Sequence, residues 1–292
     1  MSQSTHQPIK VSFEFFPPAD DKGEQRLWDT IEKLSPLEPK FLSVTYGAGG
    51  TTQERTNRVV RRIRKETSET PAAHLTCVGA TRDEVNELAR SWWEAGVRNI
   101  VALRGDPPQT MGTYRPHPEG YKNAADLVAG LKKIADFDIS VAAYPEVHPD
   151  SPSEQADLDN LKAKIDAGGS RAITQFFFEV DNFLRFRDKA VRHGIDVPLI
   201  PGIMPVFNFT KVANFSADCG AIVPDWLHET FAGLDEDPES RALVAASVAA
   251  EMCTRLKAEG VDFFHFYTLN RPELTYAVCR RLGLKPQLDE AA

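Results

Sequence analysis

The chain has 292 residues, 42% of them hydrophobic and 26% charged, enough to bury one large core or two smaller ones. A formal net charge of -8 and a pI near 5.5 argue against nucleic acid as the main partner, because binding a phosphate backbone needs a basic surface. No apolar stretch approaches the roughly 18 residues of a membrane-spanning helix, so a soluble, cytoplasmic protein is expected.

From the N-terminus, short β-branched or aromatic runs alternate with longer amphipathic segments. The pattern predicts strands over 10–15, 40–46, 73–78, 99–104, 138–144, 172–178, 197–203 and 262–268. It predicts helices over 23–34, 52–65, 82–94, 123–137, 153–167, 181–192, 210–215 and 239–259. Strand-then-helix units at this rhythm match an α/β (β/α)8 TIM barrel, a single domain over 1–292 with flexible tails at 1–8 and 286–292. A doubly wound sheet is the alternative. It lacks a G-x-G-x-x-G turn after any strand, since GAGGTT at 47–52 has the wrong spacing. Cys77, Cys219, Cys253 and Cys279 stand far apart with no metal-ligand spacing, and reduced thiols with buried packing roles are expected.

The first strand and its Pro-Pro stop, VSFEFFPP at 11–18, set one carboxylate, Glu14, among aromatic and apolar residues. Removing an unpaired carboxylate from water costs on the order of several kcal/mol, so Glu14 is expected to raise its pKa or find a partner. A raised carboxyl is a ready general acid; the bland alternative is a barrel-interior group paired with an Arg or a backbone N–H that only fixes the fold. In a barrel, catalytic groups gather at the C-terminal strand ends. Those ends here carry Glu14, Thr45, His74 to Cys77, Arg104-Gly105-Asp106, Tyr144 with Glu146 and His148, Gln175, and Tyr267 to Arg271. Gly105 permits close backbone approach to a ligand, and Pro107-Pro108 stiffen the loop beyond it.

Eight segments in order carry a resemblance: SFEFFPP at 12–18, SVTYGAGG at 43–50, HLTC at 74–77, ALRGD at 102–106, AAYPEVHP at 142–149, ITQFFF at 173–178, PGIMPV at 201–206 and FHFYTLNR at 264–271. Together they resemble the methylenetetrahydrofolate reductase family, the bacterial type with a single catalytic domain. The resemblance implies a barrel carrying FAD. It would pass hydride from NADH or NADPH to 5,10-methylenetetrahydrofolate, giving 5-methyltetrahydrofolate for one-carbon metabolism and methionine biosynthesis.

By the same resemblance, Glu14 is the acid that protonates N10 and opens the ring to an N5 iminium cation. Asp106 lies between flavin and folate. Thr45, His74, Arg104, Gly105, Asp106, Ala124, Tyr144, His148, Asp157 and Lys164 contact the cofactor, with Arg104 and Lys164 toward the diphosphate and Asp157 toward ribose hydroxyls. Glu14, Asp106, Gln175, Phe215 and Arg271 meet the substrate, Phe215 by stacking on the aminobenzoyl ring and Arg271 through carboxylates. No metal is implied, and a homo-oligomer is expected.

Two positions depart from relatives: Gly169, which loosens the backbone after Lys164, and Asn123, where some carry an aromatic residue. The chain ends shortly after Thr268, so feedback through the regulatory domain of animal and fungal members is not expected. The preference between NADH and NADPH and the direction of flux stay open. Rival classes are a pterin-binding barrel that transfers a one-carbon group without redox chemistry, and a folate carrier without catalysis.

Overall fold

Along a β-strand successive side chains face opposite sides, and in β1 (Lys10–Phe15) both sides are occupied. Val11, Phe13 and Phe15 pack outward with Leu27 and Ile31 of α1 (Asp21–Leu34), while Ser12 and Glu14 turn into the barrel. The computed structural model of the chain describes residues 8–46, 53–106 and 114–287. After α1 come β2 (Leu42–Val44), α2 (Gln53–Glu66), β3 (Pro71–Thr76), α3 (Arg82–Glu94), β4 (Asn99–Leu103), α4 (Ala124–Ile134), β5 (Asp138–Ala143), α5 (Glu154–Asp166) and β6 (Arg171–Phe176). Then come α6 (Val180–Arg192), β7 (Leu199–Ile203), α7 (Phe209–Cys219), α8 (Asp225–Phe231), α9 (Pro238–Ala258), β8 (Phe263–Tyr267) and α10 (Pro272–Arg281).

The eight strands are parallel and close in sequence order, β8 pairing back onto β1. That is the (β/α)8 TIM barrel expected from the strand-helix rhythm. Register at the closure sets Ser12 opposite His265 and Glu14 opposite Tyr267. Phe41, Ala72, Val101, Ile173 and Ile200 form a floor inside the lower barrel, with Leu103 and Phe263 against it. The two cavities that gather the polar strand ends open above that floor, toward the C-terminal strand ends.

Helix starts obey local chemistry. Thr81 and Glu84 cap α3 reciprocally, Asn123 caps α4 through the Asp126 N–H, and Ser153 caps α5 through the Ala156 N–H. Asn123, one of the two departures noted in the sequence, thus has a backbone task.

Several boundaries differ from those the sequence predicts. The strand expected over 40–46 keeps only Leu42–Val44, and β3 to β6 and β8 leave the ladder before their expected ends. At the mouth the chain turns away to present side chains: the N–H groups of Cys77 and Val78 both bond Arg104 O, at 3.2 and 3.0 Å. The helix expected over 210–215 runs on to Cys219 and stops at Gly220, whose left-handed φ of 73° suits glycine. Helices α8 and α10 are additions to the predicted set. α8 has only seven residues, too short for a clear period. α10 starts on Pro272 and buries Thr275, Val278 and Cys279, supplying the helix of the eighth unit. No described helix is long and apolar enough to cross a membrane.

Gly202 in β7 marks the tightest point of the inner wall. A Cβ there would sit 2.2 Å from Thr174 O and 2.6 Å from Tyr267 Cε2, and Tyr267 needs that space to donate its hydroxyl to Thr174 O at 2.7 Å. Gly202→Ala is expected to destabilise the chain by about 3 kcal/mol, since a backbone oxygen cannot swing aside. Urea unfolding measures it.

Candidate active site

The polar strand ends meet above the barrel floor in two adjoining cavities. The inner one, about 320 Å³, is lined by Glu14, Thr45, His74, Gln175, Phe215 and Tyr267 among others. The outer one, about 360 Å³, is lined by Arg104, Gly105, Ala124, His148, Asp157 and Lys164 among others. Leu103, Asp106, Ala142 and Tyr144 border both. Arg271 lines a third cavity of about 230 Å³, its guanidinium 4.9 Å from the centre of the Phe207 ring. Tyr267, Thr268 and Leu269 lie between that cavity and the inner one.

Glu14 is nearly enclosed and has histidine rather than arginine partners. His265 Nε2 is 3.2 Å from Glu14 Oε2, His74 Nε2 is 3.1 Å away, and Ser43 Oγ donates to the same oxygen at 3.3 Å. Burial pushes the carboxyl pKa up, but the charge of His74 and the hydrogen bonds and charge of His265 outweigh it and bring the pKa down to about 2. The expected raised, neutral carboxyl is therefore corrected: beside His74 and His265 its pKa falls below the ordinary value, and Glu14 is an anion near neutral pH. Nothing in the spacing of the chain marks His265 as a partner, because strand pairing across the closure brings it there.

His74 contributes by charge more than by a directed bond. Its Nε2 is buried and makes no hydrogen bond, since the ring N–H is not aimed at the carboxylate 3.1 Å away. A buried ring nitrogen on the cavity wall without a partner is a position for a ligand atom.

In the outer cavity, Arg104 reaches Asp150 at 2.7 Å and Asp106 at 3.7 Å, and lies over the Tyr114 ring. Asp150 is absent from the sequence-predicted site; an acid two residues after His148 is its only signal. Asp106 itself is 80% exposed on its side chain, free to face either cavity. Lys164 is 5% exposed and donates to Ala142 O at 2.6 Å. Burial lowers its pKa to about 8, with Arg104 adding to that and Asp157 opposing it. Asp157 accepts the His148 backbone N–H at 2.7 Å, and His148 Nδ1 accepts from Asp150 N. Burial and then Arg104 lower the His148 pKa, so its neutral ring offers an Nε2–H. That ring meets Tyr144 edge-on at 4.5 Å.

Gln175 Oε1 accepts from the Phe176 N–H, which leaves its NH2 group to donate. Phe215, 44% exposed, stacks on Phe176 at 5.6 Å and roofs the inner cavity. Thr45 and Ala124 sit on the cavity walls, Ala124 as the first residue of α4.

Gly105, on the wall of the outer cavity, also has a packing reason to be glycine. Its φ is 83°, and a Cβ would meet Val78 Cγ1 at 2.5 Å and Thr76 Cβ at 2.8 Å, so packing against the neighbouring strand end demands glycine there. Gly169 likewise is buried and bonds Lys164 O through its N–H, with Val141 and Ile165 close to where a Cβ would be. Cys77, Cys253 and Cys279 are buried as expected, but half-buried Cys219 lines the inner cavity. Glu146 lies in neither cavity; it accepts from Asn182 Nδ2 and Ile222 N and ties loops together. Pro107-Pro108 and the GAGGTT segment lie outside the described residues.

The profile of the methylenetetrahydrofolate reductase family matches residues 1–283. The chain is 55% identical over 280 residues to 5,10-methylenetetrahydrofolate reductase of Salmonella typhimurium, covering 96% of this chain and 93% of that protein. It is 54% identical over 280 residues to the Escherichia coli enzyme of that name, with the same coverages, 96% and 93%. In fold it is similar to a Clostridium thermocellum protein described as binding two copies of 5-methyl-5,6,7,8-tetrahydrofolic acid. That pair has a TM-score of 0.61 at 15% identity and covers 95% of this chain and 96% of the other. The closed barrel, the profile match and the near-full-length identity lead to one conclusion: the chain belongs to the methylenetetrahydrofolate reductase family.

Proposed function

We propose that the chain reduces 5,10-methylenetetrahydrofolate to 5-methyltetrahydrofolate with hydride from NADH or NADPH, relayed by bound FAD. The observation that supports this best is the junction of the two cavities at Asp106 and Tyr144, which joins the slot that carries Arg104 and Lys164 to the cavity of Glu14. The residues fit FAD. Arg104 and Lys164 match a diphosphate, Asp157 can accept from ribose hydroxyls, and the unpartnered His74 Nε2 stands on the wall of the inner cavity. When bound, FAD takes hydride from the nicotinamide and yields it to the folate.

The protein's own groups make the folate receptive. Glu14, once it takes up a proton in the complex with substrate, delivers it to N10 and allows the five-membered ring to open, leaving positive charge on the N5 iminium. Asp106, at the junction, stabilises that charge. Gln175 NH2 holds the pterin, Phe215 stacks on the aminobenzoyl ring, and Arg271 takes the substrate carboxylates from the neighbouring cavity. The same arrangement operates in either direction. A cytoplasmic homo-oligomer completes the reading.

The test is spectral. Purified protein should show the absorbance of oxidised flavin, bleached anaerobically by NADH or NADPH and restored by methylenetetrahydrofolate. A colourless protein that binds folate and moves a one-carbon unit without a nicotinamide would overturn the reading in favour of a pterin-binding transferase.

A further inference from the structure

Arg104 does not stand on the outer cavity as a bare charge. Its Nη2 donates to Asp150 Oδ2 at 2.7 Å, its Nε donates to Gly105 O at 3.3 Å, and the guanidinium lies 4.7 Å from the centre of the Tyr114 ring. Among the described residues Nη1 makes no hydrogen bond, which leaves it for an anionic ligand. Asp150 is held from behind by a turn. Its own N–H bonds His148 Nδ1 at 2.9 Å, and the N–H of Ser151 bonds His148 O at 2.8 Å.

The charges on the cavity wall give that pairing a consequence. Arg104 and Lys164 supply two cations, Asp106, Asp150 and Asp157 supply three carboxylates, and His148 is neutral. A diphosphate therefore meets one acid more than the bases can match. Two of the three acids have other tasks: Asp157 accepts the His148 N–H, and Asp106 borders the inner cavity. Asp106 is also 3.7 Å from Arg104 Nη2, beyond a good hydrogen bond. Asp150 lines the outer cavity and not the inner one, and among the described residues its carboxylate bonds Arg104 alone. That bond holds its pKa below the ordinary carboxyl value, so it is an anion near neutral pH.

We propose that Asp150 is a counter-anion that limits cofactor affinity: it shares Arg104 with the FAD diphosphate, so the cofactor binds more weakly than the two cations of the cavity allow. The proposal rests on the FAD reading above and adds the residue that sets how firmly FAD is held.

The same contact could instead steady Arg104 and strengthen binding, and magnitudes separate the two effects. Gly105 O and the Tyr114 ring already steady the guanidinium, and Asp150 is 58% exposed on its side chain, where an ion pair contributes little. Two negative charges brought to the same guanidinium repel the carboxylate even through water, at about tenfold in affinity. Repulsion wins.

Calorimetry on the cofactor-free, full-length chain decides it. Asp150→Asn keeps the size of the side chain and the backbone bonds of the turn but not the charge. It should bind FAD and ADP, which both carry the diphosphate, about tenfold more tightly than the unaltered chain, and riboflavin, which lacks it, with unchanged affinity. Asp150→Glu keeps the charge and should stay within about twofold of the unaltered chain for all three. The gain in Asp150→Asn should shrink below about threefold at roughly 1 M salt, where screening reaches within a few ångströms. FAD and ADP affinities that are unchanged or weaker in Asp150→Asn would overturn the proposal, and so would an equal gain for riboflavin. Should the chain take ADP but not FAD, the reductase reading fails while the ADP comparison still judges Asp150. A chain that takes neither overturns both.

Discussion

Glu14→Gln is expected to lower hydride delivery to methylenetetrahydrofolate by about a thousandfold while flavin binding and flavin reduction by the nicotinamide persist. The amide keeps the size of Glu14 and a place for the Ser43 hydrogen bond, but it has no proton to give. Stopped-flow absorbance separates the two half-reactions, and a normal folate half-reaction in the variant would remove Glu14 from the chemistry. A second readout comes from linkage. The folded-state pKa of Glu14 is lowered from 4.5 to about 2, so the stability its ionised form contributes is fully present above about pH 4.5. It is lost as pH falls toward 2. The Gln variant should therefore lose less stability than the unaltered chain between those pH values.

Lys164→Met should make the ligand-free chain more stable and the cofactor less tightly bound. Lys164 is almost wholly buried, and its pKa is depressed from 10.5 to about 8, chiefly by burial. The unfolded chain holds that proton more firmly, so folding stability is lowest below about pH 8 and rises as pH climbs from 8 toward 10.5. Removing the charge relieves about 1–3 kcal/mol near neutral pH, less whatever the Ala142 carbonyl forfeits when its donor goes. An FAD diphosphate beside Lys164 would favour the charged amine, so binding at pH 8 should take up a fraction of a proton. Calorimetry in two buffers of different ionisation heat measures that uptake. In Lys164→Met the uptake should vanish and affinity should fall about tenfold or more. Unchanged affinity would place the diphosphate elsewhere.

The barrel is legible in the sequence because each strand announces itself through a short β-branched or aromatic run, and each helix but two through a clear period. α10 is hidden because FHFYTLNRPELTYAVC reads as a strand and then a proline stop, whereas Pro272 opens a helix. Most of the expected site residues line one pair of cavities, since strand-end position in a barrel already fixes which face a residue shares. What stays hidden is what depends on closure. The isolated charge of Glu14 is visible, but one of its two imidazole partners lies 251 residues away, and the sign of its pKa shift depends on both. Gly105 shows the same limit. A glycine beside a motif reads as room for a ligand, while Val78 and Thr76, the side chains that require it, come from another strand end.

The seam between β1 and β8 is fastened at its top by Phe16 and Asn270, whose side-chain amide both donates to and accepts from the Phe16 backbone, each at 2.9 Å. Along the same seam lie Ser12, Glu14 and His265. Synthesis runs from the N-terminus, so a chain emerging from a ribosome shows Glu14 early and His265 nearly last. The early carboxylate can meet His74 from the third strand, but it lacks its inner imidazole until the final strand docks. Closure of the barrel and completion of the surroundings of Glu14 would thus arrive in one step, and a nascent or truncated fragment would hold that carboxylate without its inner imidazole.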